Sequence, residues 1–340
     1  MKIVFFRIAA LVVLVTLAGC SNLQNIWQPP PQPETDASTD APSVIVPAPP
    51  AGPQPRPEPE PEPNRIAILL SDDIHTYEAI AEQVTRRGQQ NDYKILNLDR
   101  NPELSAPDLA AIKQFDPDRI VAIGLLAAKA GQKIVDTPMI FCQVFNYQDH
   151  HLLSPKSKGV KFLPPFALQL EIWKELSPEL QTVGLIVGPN QEELVAEIEQ
   201  AAEEFQVKLL TETVLSDKEA LYAFKRLTSQ IQGFWLLPDN RVLSPTVLRE
   251  IISYGRKHGN QTVVFSPQLL SLGADISFTN SDTDVADAVL KVLGDASAKD
   301  TLSGPPMTPL TTLRAEINPD VSDVLRLPVS TKLAQYLDEK

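Results

Sequence analysis

Residues 64–98, NRIAILLSDDIHTYEAIAEQVTRRGQQNDYKILNL, decide how the folded part of this chain is read. The run over 65–70 is apolar without interruption after Arg65, the pattern of a parallel strand buried on both faces rather than of one wet on alternate residues. A longer amphipathic segment over 76–87 reads as a helix, and 93–98 is again a short apolar run. Strand, helix and strand within some thirty residues make a βα unit, and such units build parallel sheets.

The same texture continues. Strands are expected at 119–123 and 139–144, with helices at 106–114 and 126–135, so the first series runs βαβαβαβ. A second series starts near Pro165, with helix 166–176, strand 183–187, helix 192–205, strand 208–214, helix 218–231, strand 233–237, helix 245–258 and strand 262–265. In the 192–205 segment Leu194, Val195, Ile198, Ala201, Ala202 and Phe205 fall along one stripe, while Glu193, Glu197, Glu203 and Glu204 face outward as a solvated surface. Ser281-Asp282-Thr283-Asp284 reads as the capped start of one more helix, over 285–293. The fold class is α/β, in two similar halves.

Before residue 64 the chain is of another kind. Lys2 and Arg7 precede an apolar run over 8–17, the layout of a secretory signal, and the run is too short for a transmembrane helix. It ends in Leu17-Ala18-Gly19-Cys20, which resembles the lipobox of bacterial lipoproteins. The resemblance implies cleavage after residue 19, lipidation of Cys20 as a membrane anchor and, because Ser21 is not Asp, transfer to the outer membrane of a Gram-negative host. From Pro29 to Pro63 there are 14 prolines in 35 residues. Such a run forms neither helix nor sheet and extends as polyproline II, reaching on the order of 100 Å at about 3.1 Å per residue. It is either a spacer of set reach or a disordered leash.

With 43 acidic against 30 basic residues and a net charge of -13, the chain lacks the positive field that holds nucleic acid. Of the two cysteines, Cys142 lies in the apolar run Met139-Ile140-Phe141 and is expected to be buried and inert; with Cys20 acylated no disulfide can form. His150-His151 beside Asp149 are adjacent loop residues that do not converge on one metal ion by themselves, so no metal and no cofactor is expected. No Gly-rich phosphate loop, GxSxG or HExxH is present, and no catalysis is expected. Asp72-Asp73 follow the first strand as helix-capping residues, a role compatible with a ligand contact from Asp72. Asp239-Asn240, after a predicted strand, is either a turn before Pro245 or part of a site.

Over residues 65–329 the order of elements and several phrases resemble the ABC-transporter substrate-binding proteins of the uncharacterised and aromatic-amino-acid-binding group. The phrases are Val121-Ala122-Ile123-Gly124, Gln169-Leu170-Glu171, Val183-Gly184-Leu185, Leu237-Pro238-Asp239-Asn240 and Leu272-Gly273-Ala274. The resemblance implies the type I periplasmic-binding fold: two Rossmann-like lobes joined by a hinge, lobe 1 over 65–163 plus about 280–340 and lobe 2 over 164–279, after the 1–19 leader and 20–64 tether. It implies a ligand between the lobes, at the C-terminal ends of strands. From lobe 1 the site would take Ser71, Asp72, His75, Gly124, Leu125, Phe145, Asn146 and Tyr147. Lobe 2 would add Asp239, Asn240, Ser266, Pro267 and Thr279, with helix N-termini presenting N–H groups to an anion.

The chain departs from the family pattern at Leu125-Leu126, where a hydroxyl residue with proline is usual, and at Phe145-Asn146-Tyr147. Both changes weaken the expectation of a free amino acid: the site either prefers a more apolar or aromatic ligand or is vestigial. Two functions follow as expectations: a lipid-anchored binding protein that delivers a small organic, amino-acid-like molecule to an ABC permease, or a scaffold that keeps the fold and touches an outer-membrane receptor or a cell-wall enzyme.

Overall fold

The computed structural model describes residues 63–101, 103–294, 302–321, 330 and 334–337. Cys20, the leader and nearly all of the proline-rich tether lie outside the described residues. Residues 59–340 form one unit, built on two sheets.

The first half runs β1 (Arg65–Leu70), α1 (His75–Arg87), β2 (Asp92–Asn97), α2 (Ala106–Phe115), β3 (Arg119–Ile123), α3 (Leu125–Gly131), β4 (Met139–Cys142) and β5 (Ser157–Val160). With β11 (Met307–Thr308) these strands pair in the order β11-β5-β4-β3-β1-β2, parallel throughout. The apolar run of β1 has a simple cause. Successive side chains point to opposite faces, so Ile66, Ile68 and Leu70 enter a core shared with α1, while Ala67 and Leu69 enter a second core shared with α2 and α3. Both faces are covered, and each buried Ile or Leu contributes roughly 1.5–3 kcal/mol.

The second half repeats this plan. It consists of α4 (Phe166–Leu176), β6 (Thr182–Val187), α5 (Glu192–Glu204), β7 (Lys208–Thr213), α6 (Asp217–Leu227), β8 (Gly233–Trp235), α7 (Pro245–Lys257), β9 (Gln261–Val264), β10 (Ile276–Thr279) and β12 (Arg314–Ile317), with α8 (Asp282–Leu293) between the last two in the chain. The sheet order is β12-β10-β9-β8-β6-β7, with β12 antiparallel to β10 and the rest parallel. Val183, Leu185 and Val187 of β6 pack toward α4 and α5, and Ile186 packs toward α6 and α7. Trp173 and Trp235 meet edge-on at 5.8 Å in the first of these cores. In each sheet the strand order reverses between two neighbours, β1 and β3 or β6 and β8. Beyond the C-terminal ends of such strands a parallel sheet leaves a crevice.

Among the described residues the chain passes between the sheets three times, at 161–165, 280–281 and 309–313. Three crossings make a hinge. Helix α8 returns to the first lobe, where Val285 and Val289 enter the α1 core and Arg87 holds Asp287 through two bonds of 2.5 and 2.8 Å. β11 also joins the first sheet. β12 does not: it crosses back to the edge of the second sheet, and Tyr336 and Leu337 pack on that lobe's core. The sequence reading had put everything past about residue 280 in the first lobe.

The four strands the sequence reading omitted are β5, β10, β11 and β12. Their sequences, SKGV, ISFT, MT and RAEI, are too short and too polar to carry a periodic signal, and their place in the sheet comes from their neighbours. The capping expectation for Asp72-Asp73 is also corrected. The N-cap of α1 is Ile74, with no side-chain cap. Asp72 instead accepts from the Asp73 amide at 3.0 Å and from Arg100 Nε at 2.6 Å.

Candidate functional site between the lobes

A cavity of about 410 Å³ opens beside the hinge, between the two lobes. Its walls come from every part of the molecule the crossings bring together. Thr76 of α1 and Gln143 after β4 represent the first lobe; Phe265 to Gln268 after β9 and Phe278 of β10 represent the second. Phe162 to Pro164, Asn280 and Ser281 come from the crossings themselves, Asp282 from the start of α8, and Arg314 and Glu316 from β12. Three phenylalanines give it apolar walls. Gln143, at φ 58°, holds a left-handed conformation that non-glycine residues seldom adopt.

The charged groups of the cavity are two acids, Asp282 and Glu316, and one base, Arg314. The carboxyl of Asp282 is raised above the usual carboxylate range by burial, against the opposing pull of Arg314 and then His75. Arg314 is exposed toward solvent. Asn280 donates Nδ2 to the Phe162 carbonyl at 2.7 Å, pinning one crossing to another, while its buried Oδ1 has no partner among the described residues.

Of the residues named from sequence, Ser266, Pro267 and Thr279 line this cavity. His75 stands at the start of α1, beside it. Asn146, Asp239 and Asn240 meet elsewhere in the cleft, in a bridge between lobes: Asn146 Nδ2 donates to Asp239 Oδ1 at 3.2 Å and reaches Asn240 Oδ1 at 3.5 Å. Phe145 and Tyr147 flank a narrow groove of about 50 Å³ on the other side of Phe162 and Leu163, room for a water or two. The Tyr147 hydroxyl is pushed up to about 12 by burial and by Glu193 and Glu197.

Ser71, Gly124 and Leu125 are used in building the first lobe. Ser71 Oγ accepts from the Ala127 amide at 2.9 Å, so the start of α3 is capped by the protein itself rather than offered to an anion. Gly124 has φ 89°, and a Cβ there would lie 2.5 Å from Ser71 Oγ. The glycine is the condition for β1 and α3 to meet. Leu125 packs into the adjoining core.

Sequence reasoning missed Arg314, Asn280, Gln143 and the three phenylalanines as wall residues, and read Asp282 only as part of a helix cap. That cap is Ser281, which accepts from the Asp284 amide at 3.0 Å. The proximity of hinge crossings was the missing signal. Cys142 is buried, its thiol pushed up to about 12 by desolvation. Among the described residues no group of three or more His, Cys, Asp or Glu side chains is placed to hold a metal ion, and no helix is long and apolar enough to cross a membrane.

The family described as ABC transporter substrate binding protein matches residues 75–299. Among solved structures, an ABC domain in complex with L-Trp from Streptococcus pneumonia is 18% identical, with a TM-score of 0.55 over 81% of this chain and 100% of that one. The ligand-free, open structure of a substrate binding protein with adhesive properties from Clostridium difficile is 14% identical, with a TM-score of 0.59 over 79% of this chain and 97% of that one. A conserved domain protein from Vibrio cholerae is 17% identical, with a TM-score of 0.52 over 81% and 98%. Curated protein sequences contain no significant match. At these identities the likeness is one of fold.

Proposed function

The chain belongs to the ABC transporter substrate binding protein family, and from that premise we propose that it binds a zwitterionic, amino-acid-like molecule with an apolar side chain in the cavity beside its hinge. The family consists of binding proteins that act outside the cytoplasm. The finer reading rests on one observation: a cavity of about 410 Å³ that sets Arg314 and Asp282 among Phe162, Phe265 and Phe278. Arg314 takes a carboxylate. Asp282 and Glu316 take an ammonium group, and the rings take the side chain. A relative that carries L-Trp supports the same class.

A ligand that touches both lobes and the crossings stabilises the shut arrangement in proportion to its preference for it. We place the protein on the periplasmic side of an outer membrane through lipidated Cys20, on the strength of Leu17-Ala18-Gly19-Cys20 and Ser21, with an ABC permease as the receiver of the ligand. The test is a thermal-shift screen of the mature chain against the L-amino acids. At a hundredfold excess over Kd a binder adds about 2.7 kcal/mol, a rise of roughly 5 °C for a protein of this size. Apolar and aromatic amino acids are expected to give that rise and Asp282→Asn to reduce it. No rise with any amino acid contradicts the assignment.

A second reading, a scaffold for a receptor or cell-wall enzyme, is favoured by the bridge that commits Asn146 and Asp239 to each other. Shortening the tether would abolish capture of such a partner and leave amino-acid binding intact.

A further inference from the structure

The loops after β4, β6 and β8 meet in a cluster of polar side chains outside the proposed ligand cavity. Asp239 is fully buried. Burial alone would raise its carboxyl, but hydrogen bonds from Arg241 and from the Gly188 amide outweigh it and hold it below the usual carboxylate range. Arg241 grips both oxygens, Nε to Oδ1 at 2.8 Å and Nη2 to Oδ2 at 2.7 Å, a fork that fixes the guanidinium in one orientation. The Gly188 amide completes Oδ2 at 3.0 Å. All of these contacts lie within the second lobe, so the fork is set whether or not the lobes touch.

Most of the remaining contacts run between lobes. The remaining nitrogen of the guanidinium, Nη1, donates to the Pro189 carbonyl of its own lobe at 2.9 Å and to Asp149 Oδ2 of the first lobe at 2.6 Å, and Asn190 Nδ2 donates to Asp149 Oδ1 at 3.2 Å. Asn146, itself 9% exposed, donates to Asp239 and accepts from Gln191 Nε2 at 3.0 Å. Asn190 holds φ 60° in the loop after β6, a left-handed conformation that asparagine tolerates.

We propose that Arg241 is the fixed half of a latch that holds the two lobes shut through the protein's own side chains, with Asp149 and Asn146 as its catches. Every bond of the latch joins protein to protein, and its ordering cost is met inside lobe 2 before the lobes meet. The shut arrangement is therefore the resting one, and opening requires the Arg241 to Asp149 pair to break. This goes beyond the ligand reading and does not depend on it: the latch would hold the lobes whatever the cavity binds.

The test is the distance between spin labels on the full chain in a Cys20→Ser background, at Gln90→Cys in the first lobe and Gln230→Cys in the second. Both positions are exposed, and buried Cys142 stays unlabelled. Measured with no amino acid added, the parent chain is expected to give one short-distance population. Arg241→Ala is expected to shift the open-to-shut ratio about tenfold or more, the effect of losing a charged hydrogen bond, and a second, longer distance appears. Arg241→Lys, which keeps the charge but not the fork, falls between the two. Should Arg241→Ala fail to melt cooperatively, Asp149→Ala, whose side chain is 22% exposed, carries the same expectation. A parent chain that already shows the long distance, or variants with an unchanged distribution, would overturn the latch. Absence of amino-acid binding would leave it untouched.

Discussion

Asp275 stands just before β10 with 9% of its surface exposed, and its Oδ2 accepts from the Thr262 amide at 2.6 Å. Burial raises its carboxyl to about 6, against the smaller opposing effects of that bond and of Arg256. An acid raised in the folded state costs stability where it is ionised. The cost is full above the folded value, shrinks as pH falls from about 6, and vanishes below the unfolded value near 3.8. A shift of this size corresponds to roughly 3 kcal/mol. Asp275→Asn, which keeps an acceptor for Thr262, is expected to raise the melting temperature by several degrees at pH 7.5 and to leave it nearly unchanged at pH 4. Equal effects at both pH values would contradict this. At this scale the family resemblance was informative, and Asp239, Asn146, Ser266 and Thr279 were all named through it, the first three after expected strands. The sequence was silent on Arg241, two residues past the Pro238-Asp239 turn, because the role of that arginine depends on Asp149, 92 residues away. Asp149 itself drew notice only as the neighbour of two histidines.

Helices and buried strands were legible because their signals are local. Strand β1 declares itself by a run that two cores divide between them, and α5 by a stripe ending at Ala201 and Ala202. Caps are local too: Ser216 opens α6 by accepting from the Glu219 amide at 3.3 Å, while Glu219 Oε2 reaches back to the Leu215 amide at 2.9 Å. Ser216→Ala is expected to cost about 1 kcal/mol, a fall of roughly 2–4 °C in melting temperature, with ligand binding unchanged because no residue of the cap lines the cavity. What the sequence did not declare were the strands defined by their neighbours. In β10 and β12 the buried apolar residues are Ile276, Phe278 and Ala315, too few along the chain to make a pattern. Since β12 places Arg314 at the cavity, missing the strand meant missing the residue.

On the scale of the whole molecule, three crossings, a cavity beside them and a latch across the strand ends form one mechanical arrangement. The crossings position the charges; the latch sets how often the cleft stands open. Two lobes could be read from the repeat of βα units, but their relation could not, because Asn146 and Asp239 are 93 residues apart and no local pattern joins them. The central claim is that a small zwitterion sits against Arg314 between these lobes. Calorimetric titration of the mature chain with L-tryptophan, repeated on Arg314→Ala, tests it most directly. A single saturable site with a negative heat-capacity change is predicted, weakened about 10- to 100-fold by the substitution. Binding of equal strength to both proteins, or no heat from tryptophan or any other apolar amino acid, would contradict it.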